Sequence, residues 1–151
     1  CTAIVTYAYR AAIDEYLKNP SKEFKVPDWI LQEMDKMSHR EYTTGFNFGR
    51  MKNGQVLDTG GYQREWDVCA LFKEYDAENQ RLIVSQRNRF FEGDTLEVVE
   101  PFKKPYVITV DDLYNVNDDE KTDVANKATD TYSFKCSITI SKDAILRRKR
   151  D

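Results

Sequence analysis

"WDVCALFKEYDAENQRLIVSQR", Trp66 to Arg87, decides the fold class. Two β-rich runs, Trp66 to Asp76 and Arg81 to Arg87, flank the short link "AENQ" and read together as a hairpin. Downstream the same signal repeats. "FKCSITI" alternates, with Phe134, Cys136, Ile138 and Ile140 on one side and Lys135, Ser137 and Thr139 on the other. "TLEVV" (Thr95 to Val99), "YVITV" (Tyr106 to Val110) and a stretch near "DLYNV" are further strands, and upstream "YTTGFNF" is another candidate. The segment from about Tyr42 to Ile140 thus offers six or seven short strands and no strong helix. That pattern predicts a mainly β protein, with a small closed β-barrel of about six strands, because closure removes exposed edges. In "FEGDTLEV", Gly93 suits a tight turn with positive φ, and Asp94 suits a hydrogen bond to the turn backbone.

Before the strands the period is helical. A first helix is predicted from about Thr2 to Lys18, stopped by Asn19-Pro20, since a residue before proline is pushed out of the helical region. A second is predicted from Pro27 to about Met37, with Pro27 at a first helical position and Asp28 at the positive end of the dipole. Ile30, Met34 and Met37 share one face. The first helix is apolar nearly all round (Ala3, Ile4, Val5, Tyr7, Ala8, Tyr9, Ala11, Ala12, Ile13), and such a helix expects burial on every side. The expectation is therefore that this chain belongs to a larger protein. Residues 1–38 would hold the terminal helix of a preceding catalytic domain plus a linker helix, and residues 39–151 the β-barrel.

The 151 residues include 23 basic and 26 acidic side chains, a net charge of −3, and 40% apolar residues. This is a globular composition with no global preference for nucleic acid or anionic membranes. No apolar run approaches the roughly 20 residues of a membrane span. Cys1, Cys69 and Cys136 are odd in number and form no Cys-x-x-Cys pair, and with one histidine the chain has little material for a zinc site. Cys69 and Cys136 read as buried thiols in a reducing, cytoplasmic compartment. No metal or cofactor is called for.

"SHREYTTGFNFG" (Ser38 to Gly49) carries that histidine, His39, beside Arg40. No nucleophile motif accompanies it, and the pair is expected to cap the second helix. The acidic run "DLYNVNDDEKTD" lacks the glycine that a calcium loop needs at its sixth position and reads as a solvated turn. No catalytic residue emerges. For binding, "SQRNRFF" sets Arg87 and Arg89 at strand spacing before Phe90, and the basic tail "RRKR" adds Arg147 and Arg148; arginines beside aromatics can grip phosphate and stack on unpaired bases. A groove lined by Tyr42, Phe46 or Tyr62 would instead suit a peptide.

"YAYRAAIDEYLKNP" (Tyr7 to Pro20), "SHREYTTGFNFG", "VSQRNRFFEGDTLEVVEP" (Val84 to Pro101) and "AILRR" (Ala144 to Arg148) together resemble the C-terminal region of the U-32 peptidase family, the collagenase-like proteases. The resemblance spans nearly the whole chain. It implies a barrel similar to the second domain of elongation factor Tu, following a larger TIM-like domain that carries the proposed active site. Some members of that family are described as collagen-degrading peptidases, and others resemble enzymes that hydroxylate a nucleotide in transfer or ribosomal RNA with an iron–sulfur cluster. By that resemblance the cluster cysteines belong to the preceding domain, so no catalytic residue transfers here. The chain is then expected to be a non-catalytic accessory domain, partnered by its own N-terminal domain and by protein substrate or structured RNA.

Overall fold

The computed structural model describes residues 2–39, 49 and 65–150. The strand candidate "YTTGFNF" and the groove residues Tyr42, Phe46 and Tyr62 lie outside them. The chain divides into two compact units, Cys1–Trp66 and Asp67–Asp151.

In the first unit, α1 runs Thr2–Lys18 and α2 runs Asp28–Asp35. α1 packs against α2, with Ile4 and Ala8 buried and the rings of Tyr7 and Trp29 6.4 Å apart. Its other face is open: Tyr9, Ile13 and Leu17 are exposed, so apolarity all round does not translate into burial within this unit. α2 buries Ile30 together with Glu33, whose carboxylate lies 2.9 Å from Lys36 Nζ. Pro27 precedes it at the N-cap, and its last carbonyls are met by the Lys36 and Met37 backbone N–H groups. Here the expectation for His39 is corrected. It lies beyond the last turn and its Nδ1 contacts the Met37 carbonyl at 2.7 Å, because α2 ends at Asp35 and backbone donors already satisfy its end. Among the described residues, no helix is long and apolar enough to cross a membrane.

The second unit is a sheet. Ten strands follow in chain order: β1 Trp66–Asp76, β2 Arg81–Gln86, β3 Phe90–Phe91, β4 Thr95–Val99, β5 Tyr106–Thr109, β6 Asp111–Asn115, β7 Glu120–Lys121, β8 Val124–Ala125, β9 Thr131–Lys135 and β10 Ile145–Lys149. Eight form one sheet in the order β5-β4-β10-β1-β2-β9-β6-β7, and β3 pairs with β8 separately. The predicted hairpin is β1–β2, with Ala70 opposite Gln86 and Asp76 opposite Arg81. Asp76 Oδ1 accepts from the backbone N–H of Glu78 and Asn79 at 3.0 Å each, which closes the turn.

The expectation of about six strands is replaced by eight in the main sheet, and the described ladders run in a line without a closing pair between its ends. The sheet is nonetheless strongly rolled. β5 lies at one end and β6 second from the other, yet Val110 alone joins them in the chain. Residues two apart cannot be more than about 7 Å from each other, so the two flanks of the sheet must meet there. The core confirms the roll: Ile108 of β5, Leu113 of β6, Leu82 and Val84 of β2, Phe134 of β9 and Leu146 of β10 enter one cluster. Phe90 completes it edge-on to Tyr132 and Phe134.

Two local readings change. The alternation in "FKCSITI" holds for Phe134, Cys136 and Ile140, which are buried, but Ile138 is 45% exposed. β9 stops at Lys135, and the chain leaves the sheet after the Cys136 N–H bonds the Gln80 carbonyl. The "RRKR" run is no tail: Arg147, Arg148 and Lys149 belong to β10, which sits between β4 and β1.

Candidate functional site

Antiparallel pairing gathers several segments at one rim of the rolled sheet: the start of β1, the end of β2, the start of β4 and the end of β10. The loop Arg87–Arg89 leaves β2 here. The N–H groups of Arg87 and Asn88 both donate to the Cys69 carbonyl, at 2.8 and 3.1 Å. The Asn88 side-chain amide donates to the Val68 carbonyl at 2.6 Å. Three hydrogen bonds to β1 thus fix a loop whose two arginine side chains are exposed.

The next turn is fixed as firmly. Gly93 has φ +88, and its N–H donates to the Val110 carbonyl at 2.8 Å. Asp94 Oδ2 accepts from the Phe91 N–H at 2.9 Å and from Arg148 at 2.5 Å. Both roles predicted for "FEGD", the glycine turn and the aspartate bond, are met.

The rim sorts the predicted binding residues. Arg148 is neutralised by Asp94, and Arg150 Nε lies 2.8 Å from Asp67. Arg147 points away from the rim and is corrected as a surface contact: it is 3% exposed and pairs with Glu97, which faces it across the β10–β4 ladder. Phe90 is corrected too, being fully buried. The aromatic that reaches the surface is its neighbour Phe91, 39% exposed, with the Arg89 guanidinium 5.5 Å from its ring centroid. The sequence held the signal for this. Arg87, Arg89 and Phe91 share the same parity, so the period of two that aligns the arginines selects Phe91 over Phe90. Among the described residues, Arg87 and Arg89 are paired with no carboxylate, unlike Arg81, Arg147, Arg148 and Arg150. The nearby Glu92 carboxylate turns to the Leu113 N–H at 3.0 Å.

Two other charged clusters are internally balanced. Asp112, with φ +54 at an irregularity of β6, meets Arg81 at 2.7 Å, Lys121 at 3.0 Å and Lys135 at 3.7 Å. Hydrogen bonds from Arg81 and Lys121 hold its carboxyl down to about 2. Glu100 is buried and accepts from Lys103 at 2.6 Å, the Tyr106 hydroxyl at 2.8 Å and the Ser141 N–H at 2.8 Å. Burial alone would raise its carboxyl, but these donors outweigh it and hold it down to about 2. The "NDDE" segment is a turn organised by Asn115, whose Oδ1 accepts from the N–H of Asn117 and Asp118. No group of three or more His, Cys, Asp or Glu suited to a metal ion occurs among the described residues.

Residues 64–147 match the peptidase family U32 C-terminal domain. The chain belongs to that family. Residues 1–56 match the U32 peptidase family itself, so the helical part and the β part of the chain correspond to two successive U32 regions. Among curated proteins, the tRNA hydroxylation protein P1 of Bacillus subtilis is 26% identical over 147 residues, which is 97% of this chain and 34% of the relative. This U32 chain therefore spans about a third of that relative's length. Among solved structures, the C-terminal domain of a Geobacillus thermoleovorans U32 protein, in a selenomethionine form, superposes with a TM-score of 0.50 at 23% identity, covering 54% of this chain and 99% of the other. A second crystal structure of that domain gives a TM-score of 0.49 at 24% identity, covering 56% and 93%. The likeness places the β unit in the U32 C-terminal fold.

Proposed function

We propose that this chain is a non-catalytic positioning module of a U32 enzyme, and that the substrate it helps to hold for the preceding domain is structured RNA. The observation that carries the reading is the pair Arg87 and Arg89. They are exposed, unneutralised among the described residues, and mounted on a loop whose backbone is fixed to β1. In a unit that otherwise pairs its arginines, two uncompensated cations two residues apart suit consecutive phosphates of a nucleic acid. The kinship with a protein named for tRNA hydroxylation, which runs along almost the entire chain, supports the same substrate class. The preceding U32 region is the natural partner of the module, and the match of residues 1–56 to the family supports that pairing. A barrel of the elongation factor Tu type, a cytoplasmic setting and chemistry located outside this chain complete the proposal.

The test is binding of the chain to an unmodified tRNA transcript across a salt series. The Arg87→Gln/Arg89→Gln variant should bind more weakly and lose about two phosphate contacts' worth of salt dependence, roughly 0.9 in log–log slope for each. Equal affinity and equal slope for variant and wild type would overturn the assignment of this rim. Binding of gelatin or collagen peptides with no binding of tRNA would replace RNA by a protein substrate.

A further inference from the structure

We infer that the rim recognises an unpaired nucleotide: Arg89 and Phe91 form a preassembled stacking platform for one exposed base, and Arg87 holds the adjoining phosphate. The inference rests on the RNA reading above and specifies which form of RNA the site takes.

Geometry carries it. The Arg89 guanidinium lies 5.5 Å from the centroid of the Phe91 ring, so a planar cation and an aromatic ring are already associated before any ligand arrives. Phe91 is 39% exposed although its neighbour Phe90 is fully buried. β3 pairs Phe90 with Ala125 and Phe91 with Val124, which holds the two rings on opposite faces of the strand. The platform is stiff at both ends. On one side the loop donates three hydrogen bonds to β1 carbonyls. On the other, the Phe91 N–H is held by Asp94, which is itself anchored by Arg148. A stack that is already ordered loses little entropy when a third plane joins it.

The chemistry selects the ligand. A base inside a duplex has both faces covered by its neighbours and cannot reach this platform. A base in a loop or single strand presents a free π-face, and stacking of that kind is tolerant of base identity. Arg87 shares the parity of Arg89 and Phe91 and lies on the same fixed loop, where it meets the negative backbone that accompanies such a base.

The experiment compares fluorescence-anisotropy titrations of the chain with a ten-nucleotide single-stranded oligouridylate and with a ten-base-pair RNA duplex, at matched salt. Wild type should prefer the single strand. Phe91→Leu, which keeps apolar bulk on the strand, should weaken oligouridylate binding by about five-fold or more and leave duplex binding unchanged. Arg87→Gln should weaken both probes and lower the salt dependence. Equal affinity of wild type for the two probes, with Phe91→Leu indistinguishable from it, would overturn the stacking platform while leaving the RNA reading intact. Failure to bind either probe would overturn both. A thermal melt of Phe91→Leu matching wild type shows that loss of binding is not loss of fold.

Discussion

Arg147 and Glu97 face each other across the β10–β4 ladder, and the arginine Nε donates to Glu97 Oε1 at 2.8 Å with only 3% and 14% of the two side chains exposed. A pair this enclosed is worth little against two apolar residues, but removing one member strands the other charge. Glu97→Ala should therefore destabilise the chain by about 3 kcal/mol, measured by urea denaturation. Arg147→Met, which removes the charge that is hardest to strand, should be less harmful than Glu97→Ala. The opposite ranking would show that the guanidinium is not dependent on this carboxylate.

Acid stability should follow Glu100. Its folded carboxyl sits at about 2, below the ordinary 4.5. A depressed carboxyl contributes stability that is complete above the unfolded value and is lost as pH falls toward the folded one. The loss should therefore run from about pH 4.5 down to about pH 2, and the full contribution is up to about 3 kcal/mol. Asp112, also held at about 2, acts in the same direction and window. Denaturation midpoints taken at steps of pH should show a shallower acid limb for Glu100→Gln. An unchanged limb would remove Glu100 as its source.

Backbone handedness gives a pair of predictions with opposite signs. Gly93 has φ +88, and no atom lies within 4 Å of the position that a Cβ would take there. Gly93→Ala therefore meets no clash yet places an alanine in the left-handed region. It should destabilise by about 1 kcal/mol. Thr129 already occupies that region, with φ +69, as a β-branched residue. Thr129→Asn should stabilise by about 0.5 kcal/mol, since asparagine tolerates this conformation better. Thermal melts of both variants provide the check.

Thiol chemistry should be silent in the folded chain. Cys69 and Cys136 are buried and unpaired by disulfide. Burial pushes Cys69 up to about 11 and raises Cys136 as well. In a Cys1→Ser background, an aromatic disulfide reagent at pH 8 should report no fast-reacting thiol in the native state and two on unfolding. Rapid native labelling would show that the β unit opens at the strand that carries Cys69 or beyond the end of β9.

These outcomes also mark where local pattern is informative. The β1–β2 hairpin was legible because both runs are long enough to show β character and the link between them is short. The bounds of α1 were legible because Asn19-Pro20 ends it through local sterics. β3, β7 and β8 have two residues each and are too short to display any period. β10 was hidden for a different reason. "LRRK" looks like a solvated cationic run, and only Glu97 and Asp94, distant in sequence, make two of its arginines acceptable inside a sheet. At the candidate site the arginine pair was visible, but the choice between two adjacent phenylalanines depended on a ladder with Ala125 and Val124 that no local pattern encodes.

The position of β10 has a consequence for biosynthesis. β4 and β5 form one paired group, and β1, β2, β9, β6 and β7 another; β10 alone joins them. Every other described strand leaves the ribosome before Ile145 does, so the two groups wait as separate pieces with open edges until the last strand arrives. A stop codon anywhere upstream of β10 removes the seam, and with it the whole second unit.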